Sequence, residues 1–135
     1  QGEPEEAQQA YHQVFLRSER MTNRAHAAIQ LGMLYDRAGD HRRALQMYRW
    51  VMASGLVHRK PEFAFVLFNV AVEHVALGDL DAAAEMFSRI RRHHPTTWES
   101  ARKWLRNSPE LLQRLGQHAP CRAEFEATDS AFFAA

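Results

Sequence analysis

The chain has 135 residues, with 17 basic and 16 acidic side chains and a formal net charge of +1. This length suffices for one domain with a buried core, and we expect a single domain over residues 1–135. The near balance of charge argues against nucleic acid as the partner. Cys121 is the only cysteine, which excludes an internal disulfide, and no apolar run is long enough to cross a membrane.

The first predicted element is a helix over residues 5–20. Ala7, Tyr11 and Val14 recur at the spacing of one helix face. The same spacing of a small, an aromatic and a branched residue returns later in the chain. We therefore interpret residues 5–20 either as the second helix of a preceding repeat or as an N-terminal capping helix.

Residues 22–54 and 61–94 carry one pattern twice, with an offset of 39 residues. In each copy apolar residues recur at steps of three and four, which predicts two amphipathic helices. A glycine ends the first helix, where the left-handed conformation suits it, and an aspartate caps the second. The aligned residues are Gly39-Asp40 with Gly78-Asp79, Gly32 with Ala71, Ala44 with Ala83, and Tyr48 with Phe87.

The two copies carry a family resemblance. Its residues are Leu31-Gly32, Tyr35, Gly39-Asp40, Ala44 and Tyr48, followed by Ala71, Gly78-Asp79, Ala83, Phe87 and Pro95. This array resembles the tetratricopeptide repeat (TPR) family, whose usual repeat has about 34 residues. We assign the excess to the connection 54–60, as a longer loop or an extended helix end. The resemblance implies an all-α, right-handed superhelix of antiparallel helix pairs, with about seven helices, that binds other polypeptides.

The resemblance also implies a concave groove lined by the first helix of each repeat. It places there His26, Ile29, Met33, Asp36 and Arg37 from the first repeat, and Phe65, Phe68, Asn69, Val72 and Val75 from the second. Family members that hold the C-terminal carboxylates of heat-shock chaperones use lysine and asparagine in this groove, and here only Asn69 matches. Such an apolar groove suits an amphipathic helix or an extended apolar peptide. The alternative is that these side chains pack against neighbouring helices.

We predict further helices over residues 95–117, beginning at Pro95. We interpret them as a degraded third repeat or as a capping pair. Trp98 and Trp104 are interpreted there as packing residues. The tail, residues 118–135, has no clear period. We hypothesise that Phe132 and Phe133 dock into the groove, within the chain or across a dimer, so that the tail mediates self-association.

A basic stretch gives an alternative function. Its residues are Arg89, Arg92, Arg102, Lys103 and Arg106. Such a patch can bind an acidic partner, anionic lipid or nucleic acid. The other interpretation is a solvated helix face.

Sequence motifs for chemistry are missing. The eight histidines form no pair at ligand spacing beside a carboxylate, and there is no glycine-rich phosphate loop. Cys121 has no histidine in a nucleophile arrangement. We therefore predict no enzyme, no metal site and no cofactor.

The sequence as a whole predicts a non-catalytic protein–protein interaction module that acts as an adaptor or assembly scaffold. A chaperone for an exported protein is a second form of this idea. The arginine-rich, lysine-poor composition is typical of a GC-rich bacterial genome. We expect a cytoplasmic location, or a periplasmic or envelope-associated one if Gln1 is a processed terminus.

Overall fold

The computed structural model describes the backbone of residues 2–134 and the side chains of residues 5–134. Within this range the chain is all-helical, with nine α-helices, one short 3-10 helix and no strand. The helices are α1 (Gly2–Arg17), α2 (Met21–Arg37), α3 (His41–Ala53), α4 (Leu56–Arg59), α5 (Val66–Ala76), α6 (Leu80–His93), α7 (Pro95–Leu105), α8 (Pro109–Gln117) and α9 (Ala119–Glu126). The predicted number, about seven, is too low because α4 and α9 were not anticipated. No described helix is long and apolar enough to cross a membrane.

The two predicted helix pairs are α2–α3 and α5–α6, and their turns have the predicted chemistry. Gly39 and Gly78 have φ angles of 79° and 84°, in the left-handed region. Asp40 Oδ1 accepts a hydrogen bond from the Arg43 backbone N–H at 3.2 Å, and Asp79 Oδ1 accepts one from Ala82 at 3.2 Å. Both helix caps are thus confirmed.

Small residues bring the paired helices together, as predicted. A Cβ built on Gly32 would lie 2.6 Å from Cε1 of Tyr48, so no larger residue fits without movement. Ala71 and Phe87 occupy the aligned positions of the second pair, and both are fully buried. Helix α3 packs against α5, which joins the two pairs in one core. The right-handed superhelix stays a prediction.

The connection 54–60 contains a separate helical turn, α4, rather than a longer loop or an extension of α3. Gly55, with a φ of 81°, interrupts the helical conformation after α3, and α4 begins at the next residue. Leu56 and Val57 of α4 are 3% and 2% exposed, so this single turn belongs to the core. Pro61 starts a 3-10 helix rather than α5, which begins only at Val66.

At the N-terminal end, α1 packs on α2. Its contacts with the core come from Tyr11 and Phe15, and the Phe15 ring meets Trp50 edge-on at 4.9 Å. Val14, however, is 41% exposed, whereas Val51 is fully buried. If α1 were the second helix of a preceding repeat, Val14 would be buried as Val51 is. The burial of Val14 does not follow that pattern.

The tail folds against the C-terminal helices. Phe125 of α9 is fully buried, and the Phe132 ring stacks on it at a centroid distance of 4.9 Å. Phe133 lies beside Gly116 of α8, with its Cδ1 only 3.1 Å from where a Cβ would stand. Docking of the tail into the groove within the chain is therefore a wrong prediction, because an aromatic cluster at α8 and α9 holds both rings. Self-association through the tail stays a prediction.

Candidate functional site

A cavity of about 420 Å³ lies where α2, α5 and α7 meet, and we call it the groove. Its size falls within the range of ligand pockets. The apolar side chains that line it include Ile29, Met33, Phe65, Val66, Phe68, Val72 and Trp104. Tyr48 and the polar residues Asp36, Arg37, Glu62, Asn69 and Glu73 complete its walls.

The structure brings together most of the residues predicted for this surface. Ile29, Met33, Asp36, Arg37, Phe65, Phe68, Asn69 and Val72 all line the groove. His26 does not, because its ring lies against Phe63 at a centroid distance of 4.9 Å. Val75 does not either, because it is fully buried and its carbonyl accepts a hydrogen bond from Arg114 of α8.

The floor of the groove is continuous with the core. Phe68 is only 1% exposed, and its ring contacts those of Phe65, Phe87 and Trp104 at centroid distances of 5.2, 6.1 and 5.5 Å. The exposed apolar surface comes instead from Met33 and Trp104, which are 37% and 46% exposed. Phe68 is therefore a supporting residue, and its replacement would damage the fold as well as the groove.

Trp104 is a groove residue that the sequence analysis assigned to packing. Trp98, Ala101 and Leu105 form the buried stripe of α7, at steps of three and four residues. Trp104 lies outside this stripe, which is the signal that could have identified it as exposed. The packing prediction is confirmed for Trp98, which is 4% exposed. It holds only in part for Trp104, whose ring packs edge-on against Phe68 but is 46% exposed.

The polar rim of the groove is mostly acidic. Asp36 and Glu62 carry the accessible carboxylates of the rim, and Arg37 supplies the one cation among the described lining residues. The third carboxyl group, that of Glu73, is buried. A cationic group of a ligand would therefore find carboxylate partners here, next to apolar surface.

One wall of the groove contains a compact cluster of three titratable side chains. His41 Nδ1 lies 2.8 Å from Glu73 Oε1 and 3.3 Å from Asp36 Oδ1. Glu73 is 2% exposed, and burial raises its pKa to about 9, with further contributions from the hydrogen bond and the charge of Asp36. Burial, followed by the charges of Glu73 and Asp36, also raises the pKa of Tyr48.

The sequence analysis did not find this cluster. It contains one histidine, and Glu73 stands 32 residues from His41. A signal was present all the same, because Glu73 aligns with Leu34, an interhelical packing position in the first repeat. A carboxyl group at an interior position requires a partner.

The predicted basic patch is not one free cationic surface. Arg102 pairs with Glu99 at 3.0 Å and with Asp129 at 3.3 Å. Arg106 also reaches Asp129, at 3.6 Å. Arg92 and Lys103 are exposed.

Arg89 belongs to a different place, a surface cavity of about 640 Å³. It shares this cavity with His58, His93 and His94. The rings of His58 and His94 stack at 5.8 Å. The pKa of His94 is lowered by burial first and then by the neighbouring charges of His58, His93 and Arg89.

Comparison of the chain with protein-family models, with curated proteins and with solved structures finds no match. The likeness to TPR proteins consequently rests on the two aligned copies within this chain. Function has to be argued from the groove and from the side chains that line it.

Proposed function

We propose that this chain is a non-catalytic interaction module, an adaptor or assembly scaffold, whose groove binds an apolar segment of another protein carrying a lysine or arginine. One observation carries the proposal. Met33 and Trp104 expose apolar surface in a groove that Phe65 and Phe68 also line, and the accessible rim is mostly acidic.

Exposed apolar surface supports the first half of the proposal. Large apolar side chains that remain accessible around a concave cavity are a frequent sign of an interaction site. With a volume of about 420 Å³, the groove suits one or two anchoring side chains rather than an entire helix. Met33 adds an adaptable surface, since methionine repacks easily around different partners.

The rim supports the second half. Asp36 and Glu62 are at least partly accessible and oppose a single cation, Arg37. A partner with a lysine or arginine beside its apolar anchor gains attraction here, and an acidic partner is repelled. Since these charges are exposed, the attraction should weaken with salt while the apolar contact persists.

The TPR-like architecture is part of the same proposal. Two helix pairs with matching turns, close-packed small residues and an aligned aromatic wedge support it. In that arrangement α7 and α8 continue the right-handed rotation of the first two pairs. An experimental structure in which the α7–α8 pair departs from this rotation would contradict it.

The binding test is selection from a displayed library of random peptides, followed by titration of the selected peptides by fluorescence polarisation. We expect peptides with an aromatic or aliphatic anchor next to a lysine or arginine. Met33→Glu and Trp104→Ala should each weaken binding at least tenfold, which corresponds to about 1.4 kcal/mol. Leu16→Glu is the matched control, because Leu16 is 67% exposed and lies on α1, outside the groove.

Circular dichroism of each variant separates a lost site from a lost fold. The proposal is overturned if selected peptides bind the Met33→Glu and Trp104→Ala variants as tightly as the parent chain. It is also overturned if selection with well-folded protein yields peptides that share no sequence preference.

A further inference from the structure

Three helices each place one metal-ligating side chain at the same point on the groove wall. Asp36 comes from the last turn of α2, His41 from the first turn of α3 and Glu73 from the last turn of α5. One ligand atom of each lies within 4.8 Å of the others. Their side chains are 42%, 32% and 3% exposed, so the cluster is reached from the Asp36 and His41 side.

We propose that Asp36, His41 and Glu73 form a binding site for a divalent transition-metal ion, with Zn²⁺ as the best fit. One imidazole nitrogen and two carboxylate oxygens are ligands that Zn²⁺ accepts, and Glu73 releases its proton to solvent when it binds the ion. Mg²⁺ and Ca²⁺ prefer oxygen ligands alone, so the imidazole selects against them. This proposal does not rest on the peptide-binding function proposed above, although Asp36 belongs to the rim of the same groove.

One distance within the cluster agrees with tetrahedral coordination, and a second is shorter than it requires. Zinc–ligand distances of about 2.0–2.2 Å place neighbouring ligand atoms on the order of 3.3–3.6 Å apart. The separation of His41 Nδ1 from Asp36 Oδ1 is 3.3 Å, which already matches. The separation of Nδ1 from Glu73 Oε1 is 2.8 Å, a hydrogen-bond distance that has to lengthen by about 0.5 Å on metal binding.

The backbone holds the ligands in place before any ion arrives. Between Asp36 and His41 runs the turn 38–40, where the Gly39 N–H donates to the Asp36 carbonyl at 3.0 Å. The side chain of Asp40 caps α3 directly before His41. Glu73 is fixed by burial in the core. Binding therefore costs little conformational entropy.

The site has an open direction. Asp36 and Glu73 both line the groove, so an ion bound among the three atoms lies at the groove wall. Three protein ligands leave one tetrahedral position for water or for a group entering from the groove.

The competing interpretation is a metal-free hydrogen-bond cluster that ties α2, α3 and α5 together. In that case the same three side chains satisfy one another and gain nothing from an ion. The metal-site interpretation requires that one ion binds per chain and that Asp36, His41 and Glu73 coordinate it. The hydrogen-bond interpretation requires neither.

The test uses Co²⁺ as a spectroscopic probe of the untagged, metal-stripped full chain. A tetrahedral site gives intense visible d–d absorption that saturates at one equivalent, and Zn²⁺ should abolish it by displacement. His41→Gln and Asp36→Asn should each weaken Zn²⁺ affinity in calorimetry at least about 100-fold, since even outer-shell partners are worth 10–100-fold. His26→Gln is the control for loss of an imidazole elsewhere.

Every outcome of this test either supports the metal site or contradicts it. Saturable Co²⁺ absorption that is lost in both ligand variants and kept in His26→Gln supports the site. Because Asp36 is partly exposed, the Asp36→Asn variant keeps the fold and serves even if the His41 variant does not. Failure of the parent chain to bind one equivalent, or binding that survives both ligand changes, overturns the proposal in favour of the hydrogen-bond cluster.

Discussion

The turns 38–40 and 77–79 have the same backbone and very different surroundings. In each, a left-handed glycine is followed by an aspartate that caps the next helix. In each, the aspartate N–H donates at 2.8 Å to a carbonyl five residues back, on Tyr35 or on His74. The local sequence determines these features, and it is shared.

The second turn is closed by the C-terminal helices. Arg114 of α8 donates to the Val75 carbonyl at 2.7 Å, and His118 lies 3.1 Å from Asp81. The thiol of Cys121 on α9 donates to the Leu80 carbonyl at 3.5 Å. Helix α9 packs against α6 beside this turn.

The first turn remains open on the groove side. Asp36 and His41 occupy the positions that align with Val75 and Leu80. Instead of apolar contacts beneath a covering helix, they have the buried carboxyl of Glu73 as a neighbour. The two copies of the motif therefore differ in the side chains that face outward from each helix pair. The first copy, α2–α3, has polar side chains at these positions, and it is the copy for which we propose a binding site.

The largest expected effect compares the aromatic wedges of the two pairs. Phe87→Ala should lower the free energy of unfolding by about 3–5 kcal/mol, because Phe87 is fully buried among Phe68, Trp98 and Phe125. Tyr48→Ala should cost less, because Tyr48 borders the groove and the space it leaves opens to solvent. Urea unfolding measures both, and a Tyr48 cost equal to that of Phe87 would show that the first pair is as closed as the second.

The next effect concerns the polar cluster. His41→Leu should destabilise the chain by about 1–3 kcal/mol, because Glu73 is buried and loses its 2.8 Å partner. The double variant His41→Leu/Glu73→Leu should recover most of this loss, because removing both partners removes the unsatisfied group. Leucine is also what the other copy carries at each position, in Leu80 and Leu34.

The double-mutant cycle compares the parent chain, His41→Leu, Glu73→Leu and the double variant. Urea unfolding of all four in the presence of a metal chelator removes any contribution from bound metal. If the double variant loses as much stability as the two single variants combined, the two side chains are not coupled. The cluster would then have no role in holding α3 against α5.

Sequence reasoning succeeded for features that depend on near neighbours in the chain. The caps, the left-handed glycines and the approach of Tyr48 to Gly32 follow from the alignment of the two copies. Most of the residues that the family resemblance placed in a groove on α2 and α5 do line one cavity. These features require only that each pair of helices forms.

Features that depend on how the pairs dock were missed. The contact of His41 with Glu73 requires α3 to lie on α5, which no local pattern specifies. The exposure of Trp104 and the docking of Phe132 depend on where α8 and α9 cover the second pair. Short segments such as α4 have too few residues to display a period.

The smallest expected effect concerns the backbone of the two turns. Replacing the left-handed glycine should have the same cost in unfolding free energy in both. Gly39→Ala and Gly78→Ala should each cost about 1–2 kcal/mol, because both glycines have left-handed φ angles. A Cβ at either position would meet no atom within 4 Å, so the cost is conformational and should be equal. Thermal or urea unfolding measures the two values. If Gly39→Ala costs clearly more than Gly78→Ala, the turn between Asp36 and His41 bears a constraint that its backbone geometry does not reveal.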